Sequence, residues 1–121
     1  IYYDPNIKSV YHNRSSLKKL FIQYFQYGFY KPLVFLKTKY GMQFHHLVPF
    51  AFVIYIVGYT VLYKIGAYYL PLVIYLILCF YFSFVSRINM YSKLLCFIVY
   101  PIIHISYGIG FLFGLFKLLL R

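Results

Sequence analysis

Gln23 and Gln26 stand three residues apart, and Tyr27 and Gly28 follow directly. Amides at that spacing share one helix face with Lys19 and can hydrogen-bond hydroxyls or phosphate oxygens, while a tyrosine ring can stack on a sugar. On spacing alone, the simpler reading is that two glutamines on an interfacial helix merely face water. A second cluster, His12, Arg14, Ser15, Ser16, Lys18 and Lys19, gathers positive charge at a helix start. The positive end of a helix favours an anion such as a lipid phosphate or a diphosphate, and diffuse attraction to anionic lipid is the simpler use of the same residues. His45 and His46 are neighbours, so they do not share a helix face. No third ligand or carboxylate lies near them, and no metal site is expected. His104 falls inside a long apolar run, where an ionisable residue is either a structural polar contact, to Tyr100, Tyr107 or a neighbouring helix, or part of a substrate path.

Ser106, Gly110 and Gly114 place a small residue at every fourth position of the same run, which lets another helix approach closely in lipid. Pro101 should bend that helix near His104. Cys79 and Cys96 lie in apolar stretches without metal-ligand spacing, so they imply no disulfide framework.

Composition limits what these residues can do. The 121 residues are 64% apolar, 26% aromatic and 11% charged, with 12 lysines and arginines against one acid, Asp4. A soluble domain carries about 25% charged residues, and basic disordered chains are poor in aromatics, which leaves an integral membrane protein. General acid/base pairs and carboxylate metal sites need more than one acid, so this chain alone is not a complete enzyme of those kinds. The aromatic excess runs through apolar stretches instead of alternating with basic residues, which argues against nucleic acid as a partner. No glycine-rich phosphate loop or nucleophile elbow is present. The first ten residues lack the apolar core of a signal peptide, and a start at Ile1 suits a processed or truncated product.

These features predict an all-α membrane protein, in which an amphipathic interfacial helix is followed by about three transmembrane helices. The apolar runs are 47–63, 65–86 and 94–116, bounded by Lys64, Arg87, Lys93 and Lys117. Lys64 should snorkel, since the first run is short. Leu17, Leu20, Phe21, Tyr24 and Phe25 recur at spacings of three and four, opposite Lys18, Lys19, Gln23 and Gln26. This is an amphipathic helix with Asn13, Ser15 or Ser16 as its cap, ended or kinked at Pro32 and lying at the interface. Residues 1–14 read as an extended end with a turn at Asp4-Pro5-Asn6, and 15–46 as the interfacial helix and its connector. Seven basic residues precede the first run, which predicts a cytoplasmic N-terminus. Three crossings then put Lys117 and Arg121 outside, and a two-span chain with a re-entrant or interfacial last segment is the alternative.

The run from Ile1 to Arg14 and the helix from Ser15 to Lys31, with Gln23-Tyr24-Phe25-Gln26-Tyr27-Gly28 at its centre, resemble the segment after the catalytic domain of bacterial family 2 glycosyltransferases of the succinoglycan-biosynthesis type. His45-His46-Leu47-Val48-Pro49 and the closing stretch from His104 to Gly114 resemble the membrane part of that family; residues between about 56 and 98 are generic apolar sequence. In the related processive synthases a Gln-x-x-Arg-Trp motif lies under the active site and helps hold the acceptor and the nucleotide diphosphate. The resemblance places Gln23, Gln26 and Tyr27 at its three positions. Gln26 replaces the arginine, which removes direct neutralisation of a diphosphate, while Tyr27 keeps an aromatic face for a sugar.

The resemblance further implies an upstream nucleotide-sugar domain with an Asp-x-Asp site for magnesium or manganese, and no cofactor in this chain itself. The expected role is a membrane anchor and acceptor-side segment in the bacterial inner membrane, serving transfer from a nucleotide sugar to a lipid-linked or polysaccharide acceptor, with membrane lipid as a further partner. The alternative is a small non-catalytic membrane subunit whose basic helix binds anionic lipid and whose Ser106-Gly110-Gly114 face docks a partner helix. A pore or transporter would need intramembrane charges or paired broken helices, which are missing beyond His104 and Lys64.

Overall fold

A computed structural model of the chain describes residues 10, 16–40, 42–62 and 66–120. The expected extended end with Asp4, His12 and Arg14, and the boundary residue Lys64, lie outside the described residues. Within them the elements are helices: α1 Leu17–Thr38, α2 Val48–Leu62, α3 Leu70–Val85 and α4 Met90–Leu119, with single 3-10 turns at Phe44–His46 and Gly66–Tyr69.

The helix ends follow from local chemistry. Ser16 caps α1, its hydroxyl accepting from the Lys19 N–H at 3.3 Å. At the other end Lys39 turns left-handed, with φ 56°, and its N–H returns to the Phe35 carbonyl at 2.7 Å. Pro32 does not end the helix, contrary to one reading of the sequence. Its ring is buried against α4 at Gly114, where an added Cβ would lie 2.9 Å from the Pro32 Cγ. Packing compensates for the backbone donor that proline removes.

Pro49 and Pro71 sit in the first turns of α2 and α3, where a missing N–H costs nothing. The last helix begins at Met90, four residues before the expected Leu94, because Asn89 caps it by accepting from the Ser92 N–H at 2.8 Å. Lys93 is therefore inside the helix and not at its edge. Its ammonium donates to the Phe84 carbonyl at 3.1 Å, which satisfies an acceptor at the end of α3.

The burial pattern is that of a protein in lipid. Among the described residues the buried apolar side chains are Val53, Cys79 and Phe111 with Pro32 of α1, and Ser83 and Ser106 are fully enclosed. Large apolar side chains such as Val61, 76% exposed, and Ile77, 60% exposed, point outward. In water such a surface would be costly, whereas in hydrocarbon it is solvated and the helices associate through small residues and polar contacts. Three helical segments, Phe44–Leu62, Gly66–Val85 and Met90–Leu119, are long and apolar enough to cross a membrane.

The most extensive packing joins α1 to α4. A Cβ on Gly110 would overlap the Phe25 carbonyl oxygen and lie 2.9 Å from its carbon; one on Gly28 would overlap the Tyr107 carbonyl and lie 2.9 Å from the Phe111 nitrogen. Gly114 meets the Phe29 carbonyl in the same way. Residues 25 and 29 thus pair with 110 and 114, so α1 runs in the same sense as the second half of α4. Gly108 receives the start of α2, with the Pro49 carbonyl against it. The third helix is antiparallel to the fourth: Tyr75 faces His104, with ring centroids 5.6 Å apart, and Phe80 faces Phe97 at 6.4 Å.

Three apolar segments separate Lys117 from the N-terminal basic residues in sequence, yet Lys37 and Lys117 line one groove, and the Lys117 ammonium stands 5.3 Å from the Phe29 ring centroid. The packing of α1 along α4 brings these charges together.

Two outcomes are expected. Gly110→Ala forces the helices apart and destabilises the protein by about 1–3 kcal/mol, while Gly66→Ala, with open space around it, is near neutral; unfolding in detergent measures both. Single cysteines at Ala67 and Leu120 label from one side of a sealed vesicle, and a cysteine at Ile88 labels from the other. Labelling of all three from one side would contradict the antiparallel hairpin.

Candidate functional site

Gln26, Tyr27, Tyr30, Lys31 and Val34 follow one another at steps of one and three, so they form one stripe on α1. With His46 and Tyr107 they line a cavity of about 410 Å³. The crossing of α2 and α4 at Gly108 brings His46 up to Tyr107, with ring centroids 6.5 Å apart. His46 is held on its other side by His45, 4.1 Å between centroids, and its Nδ1 lies 3.1 Å from the Gln43 backbone.

Gln23 stands one turn before the cavity. Its Nε2 donates to the Tyr27 hydroxyl at 2.7 Å, and Tyr24 packs edge-on against the Tyr27 ring at 5.6 Å. The ring is thereby fixed from two sides, although the residue is half exposed. The Tyr107 hydroxyl is buried and has no hydrogen-bond partner among the described residues. A buried hydroxyl left unpaired costs free energy, so the polar group is unsatisfied until something reaches it.

Of the residues singled out in the sequence, Gln26 and Tyr27 come together on the cavity and Gln23 supports Tyr27. Lys18 and Lys19 lie exposed on the first turn of α1, away from the cavity, and Arg14 lies outside the described residues. The Nδ1 of His104 donates to the Tyr100 carbonyl at 2.9 Å and stands 3.1 Å from the Tyr75 hydroxyl, so this histidine ties α3 to α4. Phe52 closes over Tyr75 at 4.2 Å. His104 lines neither this cavity nor the groove beside Lys117, and its place in the fold is a structural contact.

Ser106 is enclosed, its hydroxyl donating to the Ile103 carbonyl at 3.2 Å. The small-residue face at Gly110 and Gly114 is filled by α1 of the same chain.

Sequence reasoning missed Tyr30, Lys31, His46 and Tyr107. The first two continue the stripe of Gln26 and Tyr27 and were legible from spacing; the others reach it only through the crossing at Gly108. Among the described residues no three His, Cys, Asp or Glu side chains gather to hold a metal ion. The cavity therefore offers amide, hydroxyl, ammonium and imidazole groups, suited to binding a polyol or an anion. No protein family, curated protein or solved structure matches this chain.

Tyr75→Phe removes the hydroxyl that faces His104. It should destabilise the protein by about 0.5–1 kcal/mol in detergent unfolding and leave the Tyr100 bond intact.

Proposed function

We propose that the chain is the membrane anchor and acceptor side of a family 2 glycosyltransferase of the succinoglycan-biosynthesis type, at the cytoplasmic face of a bacterial plasma membrane. The enzyme would move a sugar from a nucleotide sugar to a lipid-linked or polysaccharide acceptor. One observation carries the reading: Gln26 and Tyr27, two residues of the glutamine and tyrosine motif on which the resemblance rests, line one cavity, and Gln23 fixes the Tyr27 ring at 2.7 Å. A pinned aromatic ring beside an amide and an ammonium is chemistry suited to a sugar bearing a charged group.

The transfer step itself belongs to an upstream domain carrying the acids and the magnesium or manganese ion. In this chain the role of Gln26 and Tyr27 is to hold the acceptor, and that of Gln23 is to position Tyr27. The basic residues before the first apolar run, Lys31 and Lys37 among them, face the cytoplasm in this reading, in line with the preference of positive residues for that side.

In the complete enzyme Tyr27→Ala should lower sugar transfer by about tenfold or more while membrane insertion stays normal, and Gln23→Ala should act in the same direction with a smaller loss. Unchanged transfer in both variants would instead favour a non-catalytic anchor.

A further inference from the structure

Phe29, Leu33 and Lys37 recur at steps of four along α1, and Phe113 and Lys117 do so along α4, so each helix carries an apolar stripe that closes on a lysine. The two stripes line one groove of about 1410 Å³, which also takes in Phe116. That volume exceeds the roughly 300–1,000 Å³ of a small-molecule pocket, so the space suits a long ligand lying along the helices. Phe113 and Phe116 are exposed, as are both lysines. The groove therefore opens outward, onto the kind of surface that hydrocarbon covers.

The charge in the groove comes from the close packing of two helices that run the same way. Lys37 lies in the last turn of α1 and Lys117 in the last turn of α4. A helix C-terminus carries roughly half a negative charge, so the two ends together offset about one of the two positive charges. No aspartate or glutamate among the described residues offsets the other. Hydrogen bonding leaves the same gap. Lys93, at the other end of α4, finds the Phe84 carbonyl at 3.1 Å and the Phe84 ring as well. Lys117 finds a ring alone, that of Phe29, and among the described residues neither it nor Lys37 donates a hydrogen bond. An aromatic face is a weaker partner for an exposed ammonium than an anionic oxygen, so the groove holds donors and charge that an anion would satisfy.

We infer that this groove is a binding site for an anionic phospholipid, whose phosphodiester is held by Lys37 and Lys117 while its hydrocarbon lies on Phe29, Leu33, Phe113 and Phe116. The single negative charge of a phosphodiester matches the single positive charge left over. Spacing in the sequence points instead to Lys18 and Lys19 at the start of α1, and these line neither the groove nor the cavity. The lipid site goes beyond the proposed role in sugar transfer and stands or falls without it.

The full chain in detergent micelles is titrated with dioleoyl phosphatidylglycerol and, separately, with dioleoyl phosphatidylcholine, which has the same chains and phosphate but no net charge. Retained lipid is counted by native mass spectrometry. One phosphatidylglycerol per chain is expected, held about tenfold more tightly than phosphatidylcholine. Lys37→Gln and Lys117→Gln should each weaken its retention by roughly threefold to tenfold. Lys18→Gln and Arg87→Gln remove the same charge elsewhere and should leave retention unchanged. Both groove lysines are exposed, so the variants keep the fold, and circular dichroism checks it. The comparison of the two lipids on the unaltered chain needs no variant at all. Inorganic phosphate should not displace the lipid, because it has no chain to occupy the apolar walls.

Equal retention of the two lipids would overturn the inference. So would parental retention in both groove variants, or an equal loss in Lys18→Gln and Arg87→Gln, since either is the behaviour of lipid gathered without the groove lysines. Displacement by inorganic phosphate would show an anion site that makes no use of the groove walls, and would overturn it as well.

Discussion

Everything else in this protein depends on how closely the backbone of α1 approaches that of α4. Gly28, Gly110 and Gly114 are the points of contact, and at each one a Cβ would run into a carbonyl of the other helix. Helices in lipid gain nothing from hiding apolar surface, because the solvent is itself apolar. What holds them is packing at short range and weak Cα–H contacts to carbonyl oxygens. Glycine permits both. The contact sets the rotation of α1 about its axis, and that rotation turns Gln26, Tyr27 and Lys31 toward Tyr107.

A second constraint is the shortage of acids. A chain with 12 basic residues and one aspartate cannot neutralise itself. Where lysines are brought together, as Lys37 and Lys117 are along the groove, their counter-charge must come from water, from lipid or from a ligand. Lys93 shows a fourth outlet, since its ammonium reaches the Phe84 carbonyl and lies 5.7 Å from the centre of the Phe84 ring. The same arithmetic shapes the cavity, whose side chains hold donors and no carboxylate.

Much of the fold was legible from local signals. The three-and-four spacing from Leu17 to Phe25 gives α1, and the long uncharged runs give the three helices that can cross a membrane. The Ser106-Gly110-Gly114 pattern marks a close-packing face, although the sequence does not say that the occupant is the chain's own first helix. Helix ends were harder. Pro32 looks like a stop, but tertiary packing against Gly114 keeps the helix going, and Lys93 looks like a boundary, but Asn89 starts the helix earlier. The site was half legible: Gln26 and Tyr27 carry a motif, and Lys31 follows from their spacing. His46 and Tyr107 are 61 residues apart in the numbering, and only the crossing at Gly108 brings them together.

The central claim is that α1 is seated on the glycine face of α4. The most direct test is oxidative cross-linking of Phe25→Cys with Phe113→Cys, whose native rings lie 5.9 Å apart, in membranes and with Cys79 and Cys96 replaced by alanine. The account predicts an intramolecular disulfide, seen as a faster-migrating monomer that reverts on reduction. A chain in which both cysteines react with a lipid-permeable maleimide but never with each other would contradict it.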